Sequence, residues 1–104
     1  MQPCLTSSAP FETVEAAWFA ASRSIRAGTS PDVQTVGIIR CLDRLYRNRR
    51  IELLHARILR IWGGRGMAPN PKRPRERSDW QIWCEAIERM DGPLRAQGIV
   101  GPMN

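Results

Sequence analysis

The segment SPDVQTVGIIRCLDRLYRNRR, residues 30–50, contains a helix start, a helical repeat of apolar residues and a helix stop. Ser30 followed by Pro31 is typical of an N-cap and a first helical position. The repeat predicts a helix that runs to about Arg47, with Asn48 as its left-handed stop. Its apolar face is expected to consist of Ile38, Leu42 and Leu45, widened by Ile39 and Tyr46.

Three further segments repeat apolar residues every three or four positions, which predicts helices over residues 10–27, 51–62 and 79–90. Gly28 is a natural stop for the first of these helices. The residues expected to face the core are Phe11, Val14, Trp18, Ala21 and Ile25 in the first helix, Ile51, Leu54, Ile58 and Ile61 in the third, and Trp80, Trp83, Ile87 and Met90 in the fourth.

Glycine, proline and a capping pattern predict where the third and fourth helices begin and end. Gly63 and Gly64 are expected to end the third helix. Ser78 with Gln81 three positions later forms a capping box that predicts the start of the fourth helix. The sequence DGP at residues 91–93 is expected to end it. A last helical turn near residues 94–97 and an apolar tail, Ile99 and Val100, are expected to pack back on the core.

These segments predict an all-α fold: a small single-domain bundle of four main helices over residues 1–104, with a helix-turn-helix-like central pair. Residues 1–9 are expected to be a frayed terminus. Residues 63–77 are expected to form an extended, basic connector rich in glycine and proline, because proline cannot continue a helix. The prolines concerned are Pro69, Pro71 and Pro74.

Few residues are of the types that catalysis or metal binding requires. Cys4, Cys41 and Cys84 are far apart and form no C-x-x-C pair, which argues against a disulfide framework and a zinc site. We expect Cys41 and Cys84 to be buried. His55 is the one histidine and is expected to be structural. We therefore expect no enzyme activity, no cofactor and no metal.

No basic N-terminal segment followed by an apolar run appears, so no signal peptide is expected. No run of 18 apolar residues appears either, so no integral membrane association is expected. Unpaired cysteines are consistent with a reducing compartment, and we expect a cytoplasmic protein.

Positive charge is concentrated in one block of the chain. The whole sequence has 16 Lys and Arg against 10 Asp and Glu, a net charge of +6. Residues 40–77 alone have twelve Lys and Arg against three acids, a net charge of +9. This block predicts a nucleic-acid-binding surface. Its candidate contact residues are Arg40, Arg44, Arg47, Arg49, Arg50, Arg57, Arg60, Arg65, Lys72, Arg73, Arg75 and Arg77.

Two basic helices joined by a short turn have the order of a helix-turn-helix DNA-binding motif. In that arrangement Arg57 and Arg60 of the third helix would reach the major groove. The connector is interpreted either as a solvated linker or as a basic arm attracted to a narrow minor groove. Neutralising five or six phosphates would give a log–log salt slope of about −5. We expect a small DNA-associated or transcriptional regulator, with duplex DNA as the favoured ligand.

Two other functions are consistent with the same residues. An adaptor could bind an acidic protein through the arginine-rich face, with Leu53 and Ile82 as exposed apolar anchors. A basic amphipathic helix could instead attach to anionic lipid. Of the four tryptophans, three keep helical spacing with aliphatic neighbours and are expected in the core. Trp62, beside glycine and arginine, is the tryptophan for which a surface role such as base stacking is considered.

Overall fold

The computed structural model describes residues 9–28 and 30–101, and within these residues the chain forms four α-helices. They are α1 (Val14–Ala27), α2 (Val33–Arg47), α3 (Leu53–Arg65) and α4 (Arg77–Ala96), with a 3-10 turn at Pro74–Glu76 before α4. The predicted all-α bundle is confirmed. The frayed terminus predicted for residues 1–9 lies outside the described residues, except for Ala9.

The four helices enclose one core, and α3 and α4 make the most extensive contact. α1 packs on both α2 and α3, and α2 packs on α4. α2 and α3 themselves have little direct contact, so the helix-turn-helix-like pair is held together through α1 and α4. Trp83 lies in the middle of the core, where its ring stacks on Phe19 at 5.6 Å and its indole N–H donates to Glu15 at 2.7 Å.

α1 begins four residues later than residue 10, where the sequence pattern placed its start. The hydroxyl of Thr13 accepts a hydrogen bond from the Ala16 N–H at 3.0 Å, which satisfies an unpaired donor of the first turn. Phe11, predicted within the helix, forms a β-bridge with Val100 instead. Ile99 and Val100 are buried, so the prediction that the apolar tail packs back on the core is confirmed.

The N-cap of α2 is Asp32 rather than Ser30. Its carboxylate accepts from the Thr35 N–H at 2.7 Å, and this hydrogen bond lowers the pKa of Asp32. The C-terminal end of α2 is confirmed at Arg47. The left-handed residue that follows is Arg49, with φ 62°, and not Asn48, with φ −89°.

The buried face of α3 differs from the predicted one. Leu54 and Ile61, predicted to face the core, are 48% and 40% exposed, whereas Leu59 and Trp62 are buried with the correctly predicted Ile58. Apolar residues occupy positions on several faces of α3, so their spacing alone did not identify the buried face. The observed orientation of α3 buries the large indole of Trp62.

The two glycines expected to end α3 lie inside it. Gly63 and Gly64 are helical, and the helix ends at Gly66, whose φ of 74° is left-handed and whose N–H donates to the Trp62 carbonyl at 3.0 Å. The prediction that Gly63 and Gly64 stop the helix was therefore wrong. Gly66 provides the left-handed cap that such a stop requires.

Gly63 is required by the packing of α1 on α3. The indole N–H of Trp18 donates to the Leu59 carbonyl at 2.8 Å, so the Trp18 ring lies directly against the α3 backbone. A Cβ atom on Gly63 would stand 2.6 Å from Trp18 Nε1 and 2.4 Å from Ser22 Oγ. The absence of a side chain at this position thus allows the two helices to approach each other closely.

The connector is shorter than predicted. Residues 67–73 are neither α-helical nor 3-10, while the 3-10 turn runs directly into α4 at Arg77. Ser78 therefore lies inside α4 and does not cap it, and the predicted capping box with Gln81 was wrong. Glu76 fixes the connector instead, because its carboxylate accepts from the Asn70 N–H at 2.8 Å.

α4 continues through the DGP sequence that was predicted to end it. Pro93 removes one main-chain donor, but Leu94 directly after it is completely buried and extends the apolar face of the helix. Arg95 Nε also pairs with Asp91 Oδ1 at 2.9 Å, one turn back across the proline. Burial of Leu94 and the Arg95–Asp91 ion pair stabilise the helix around the hydrogen bond that Pro93 removes. The helix ends at Ala96.

Several side chains have a different exposure from the predicted one. Ile25 of α1 is 55% exposed, and Trp80 and Cys84 of α4 are exposed as well. Ile82, predicted as an exposed anchor, packs against the core. Ile25 continues the buried stripe of α1 but lies in its last turn. The other three lie beside the buried stripe of α4, where the position of a neighbouring helix decides exposure. Cys41 is buried, as predicted.

Candidate nucleic-acid interface

The loop between α2 and α3, residues 48–52, is fixed by main-chain hydrogen bonds and by one buried side chain. The N–H groups of Arg50 and Ile51 both donate to the Leu45 carbonyl, at 2.8 and 3.2 Å. The Ile51 side chain is buried in the core. Arg49 has a left-handed backbone, which costs a residue with a side chain about 1–2 kcal/mol. The loop therefore has a defined conformation that holds the backbones of Arg49 and Arg50 in place.

Four arginines line one groove of about 500 Å³ beside this loop, and we call them the turn cluster. Arg44 comes from α2, Arg49 and Arg50 come from the loop, and Arg89 comes from α4. The Arg89 guanidinium donates to the Arg50 carbonyl at 3.2 Å, which ties α4 to the loop. Glu52 is the one carboxylate among the described residues that line the groove, so the groove has an excess of positive charge.

A buried histidine connects the start of α3 to α4 close to the turn cluster. His55 Nδ1 accepts from the Glu52 N–H at 3.1 Å, so Nε2 carries the proton and donates to Glu85 at 3.0 Å. The hydrogen bond from His55 is the main reason why the pKa of Glu85 is lowered. His55 is a satisfied structural residue, as predicted. Its bond to Glu85 holds α4 at the position from which Arg89 reaches the loop.

A second groove of about 500 Å³ beside the loop is lined in part by Tyr46, Arg47 and Arg49. The Tyr46 side chain is 47% exposed, so its ring is available to an approaching base. Arg47 forms an exposed ion pair with Asp43, one turn earlier on α2. Arg49 lines both grooves and therefore joins them into one surface around the loop.

The remaining predicted arginines of α2 and α3 lie elsewhere. Arg40 lines a small hollow with Pro31 and Asp32 at the start of α2. Arg57 and Arg60 line an apolar groove between α1, α2 and α3. Arg40, Arg44 and Arg47 of α2, all predicted contact residues, thus lie in three different surroundings.

The basic residues of the connector are exposed at the other end of α3. Arg73 pairs with Glu76 at 3.3 Å. Lys72, Arg75 and Arg77 are exposed. Arg77 begins α4 and Arg89 of the turn cluster lies 12 residues further along it, about 18 Å at 1.5 Å per residue.

Trp62 does not have the surface role considered for it. Its ring is buried, and its indole N–H donates to Asp79 Oδ2 at 3.0 Å. The Arg65 guanidinium lies over this ring at 4.5 Å from the centroid, a cation–π contact. Trp62 is therefore a core residue, and Arg65 covers it.

Sequence reasoning missed two residues of this surface. Arg89 lies outside the basic block, and only the packing of α4 against the loop brings it to the turn cluster. Tyr46 was assigned to the apolar face of α2, although an aromatic residue between Arg44 and Arg47 is a pattern that also suits nucleic-acid contact.

No family model matches the chain, and neither does any curated protein or solved structure with which it was compared. None of the described helices is long and apolar enough to cross a membrane. Within residues 9–28 and 30–101, no three histidine, cysteine or acidic side chains are grouped so that they could hold a metal ion.

Proposed function

We propose that the protein binds nucleic acid, with duplex DNA as the favoured ligand, and that the turn cluster is the principal contact. The observation that carries the proposal is the convergence of four arginines from α2, the loop and α4 on one groove. Guanidinium groups bind phosphate oxygens through two parallel hydrogen bonds, which suits a backbone phosphate placed in this groove.

The connector supplies a second group of contacts. Lys72, Arg75 and Arg77 are exposed. Arg77 lies 12 residues before Arg89 on α4, so these two positions are about 18 Å apart along the helix axis. With about 3.4 Å between successive phosphates along the axis of one strand, this separation corresponds to roughly five phosphates. Phosphate contacts give affinity and register but little sequence preference. We therefore propose a DNA-associated regulator that binds with limited sequence preference.

The first test is a mobility-shift titration of the full chain at two salt concentrations, with duplex DNA, single-stranded RNA and heparin. We expect duplex DNA to bind most tightly, with a log–log salt slope of about −5 if five or six phosphates are neutralised. Absence of binding to either nucleic acid near physiological salt would overturn the proposal. So would heparin binding that is as tight as DNA binding at equal charge.

Arg49→Asn is the most informative variant, because asparagine adopts the left-handed conformation of this position more readily than arginine. The loop is therefore retained while one guanidinium is lost from the turn cluster. Arg23→Gln on the exposed side of α1 is the matched control with the same loss of charge. We expect Arg49→Asn to make the salt slope shallower by about 0.9 and Arg23→Gln to leave it unchanged. If both variants change the salt slope equally, binding depends only on the net charge of the protein, which would contradict the proposed site.

A further inference from the structure

An apolar groove of about 410 Å³ lies between α1, α2 and α3, and we call it the interhelical groove. It is present because α2 and α3 both pack on α1 but have little contact with each other. Each of the three helices contributes apolar side chains to its walls. They are Trp18 and Ile25 from α1, Ile39 and Leu42 from α2, and Leu53 and Ala56 from α3.

The edges of the interhelical groove expose large apolar side chains. Leu53 is 62% exposed and Ile25 is 55% exposed, on opposite walls. A small-molecule pocket encloses most of its ligand, whereas these side chains stand at an open edge. Contiguous apolar surface of this kind is typical of a protein-binding groove.

The charge around the interhelical groove has one sign. Arg26, Arg57 and Arg60 line it, and no described residue of its lining is acidic. The Arg26 guanidinium also donates to the Gly64 carbonyl, which ties the C-terminal ends of α1 and α3 together at one end of the groove. An occupant with apolar side chains on one face and carboxylates beside them would match both the lining and its charge.

We propose that the interhelical groove binds an acidic amphipathic helix of a partner protein. From Leu53 to Gly64 the α3 wall is about 16 Å long, three turns of helix. A bound helix of three turns places apolar anchors at positions i, i+3 or i+4, and i+7 on one face, which is the usual pattern for a helix held in a groove. This proposal does not rest on nucleic-acid binding, because Arg49 and Arg89 of the turn cluster do not line the interhelical groove.

A second copy of this chain is a poorer occupant. Four of the six acidic side chains of the described helices lie on α4, and α4 uses its apolar face in the core. α1 and α2 have one acidic side chain each, and their apolar faces also pack in the core. None of these helices therefore offers a free face that is both apolar and acidic. A partner protein with an acidic amphipathic segment fits the groove better on both counts.

The test uses synthetic fluorescent peptides of about 14 residues with leucines at i, i+4 and i+7. One peptide has glutamates beside the leucines, a second has lysines there, and a third keeps the glutamates but has serines in place of the leucines. Fluorescence anisotropy with the full chain is expected to show that the glutamate–leucine peptide binds at least about tenfold more tightly than either control. Equal binding of the first two peptides, or of the first and third, would overturn the proposal.

Two variants locate the binding site. Leu53→Asp replaces an exposed anchor at the first position of α3, where a negative charge favours the helix dipole, so the fold is retained. It should weaken binding of the glutamate–leucine peptide at least about tenfold. Arg57→Glu combined with Arg60→Glu should reverse the preference, so that the lysine peptide binds more tightly. Circular dichroism checks that both variants are folded.

Arg49→Asn is the control that separates this site from the turn cluster, and it should leave peptide affinity unchanged. A loss of peptide binding in Arg49→Asn together with no loss in Leu53→Asp would place the peptide elsewhere and refute the proposal. Self-association in sedimentation equilibrium that Leu53→Asp abolishes would identify a second copy as the occupant and would also refute it.

Discussion

Replacement of Gly63 by alanine tests the close packing of α1 on α3. The added Cβ would stand 2.4 Å from Ser22 Oγ and 2.6 Å from Trp18 Nε1, both far inside van der Waals contact. The Ser22 hydroxyl can rotate away. The Trp18 indole cannot move freely, because it is buried and donates to the Leu59 carbonyl at 2.8 Å. The methyl group therefore displaces either the ring or the backbone of α3.

The expected loss of stability follows from three contributions. Overpacking of a close-packed site costs about 1–3 kcal/mol. Loss of the Trp18–Leu59 hydrogen bond adds about 0.5–1.5 kcal/mol. The higher helix propensity of alanine offsets about 0.8–1 kcal/mol. Gly63→Ala should therefore destabilise the protein by roughly 0.5–4 kcal/mol, which lowers the melting temperature by a few degrees or more in a domain of this size.

Gly64→Ala is the matched control, since a Cβ at that position meets nothing within 4 Å. This variant gains helix propensity without a clash and should be more stable than the parent protein by up to about 1 kcal/mol. Urea unfolding followed by tryptophan fluorescence measures both variants. If Gly63→Ala is as stable as Gly64→Ala, the close approach of Trp18 does not limit this position and the reasoning is wrong.

Three further predictions concern the loop, the thiols and acid stability. Arg49→Asn should raise the urea midpoint, by an amount equivalent to about 1 kcal/mol or less, because it relieves left-handed strain; a lower midpoint would contradict this. Exposed Cys84 should react with iodoacetamide in the folded protein, but more slowly than a small thiol, because partial burial raises the pKa of its thiol. Buried Cys41 should react only after unfolding. Peptide mapping by mass spectrometry measures both reactions. The His55 hydrogen bond lowers the pKa of Glu85, so the associated stability is present above the ordinary glutamate pKa of about 4.3 and is lost as the pH falls through the lower folded value. Glu85→Gln should therefore make stability less dependent on acid pH, and an unchanged dependence would refute this assignment.

Local sequence signals identified the helices but not all of their ends. α2 was the best predicted, because a start signal, an apolar repeat and a following asparagine lie within one short segment. The cap is Asp32 and not Ser30: both residue types can cap, and only the folded chain shows that the Asp32 carboxylate, rather than the Ser30 hydroxyl, accepts from a first-turn N–H, that of Thr35. The two possible caps are close together in sequence and nearly equal in free energy, so the sequence alone does not decide between them.

Other errors arose where tertiary contacts outweigh local preference. Pro93 is a helix breaker by its chemistry, but burial of Leu94 keeps α4 intact beyond it. Gly63 appeared to be a stop signal, although its role is to admit the Trp18 ring. Both outcomes depend on how the helix packs against other parts of the core, so periodicity and capping rules do not predict them.

The sequence predicted which part of the chain carries the candidate site, but not how its side chains are arranged in the fold. Charge counting located the basic block, because arginine content is a property of the sequence alone. The division of that block between the turn cluster and the interhelical groove depends on how α2 and α3 pack on α1. The contribution of Arg89 depends on the position of α4, which His55 and Glu85 help to hold.

The β-bridge between Phe11 and Val100 has a consequence for the order of folding. The helices rely mainly on contacts that are close in sequence, whereas this bridge closes a loop of nearly the whole described chain. Closing a loop of roughly 90 residues costs about 4 kcal/mol of chain entropy. The bridge should therefore form after the helices have docked and open before they separate. The amide protons of Phe11 and Gly101, which donate to Ile99 and Phe11, should consequently exchange with solvent sooner than those in the middle of α3.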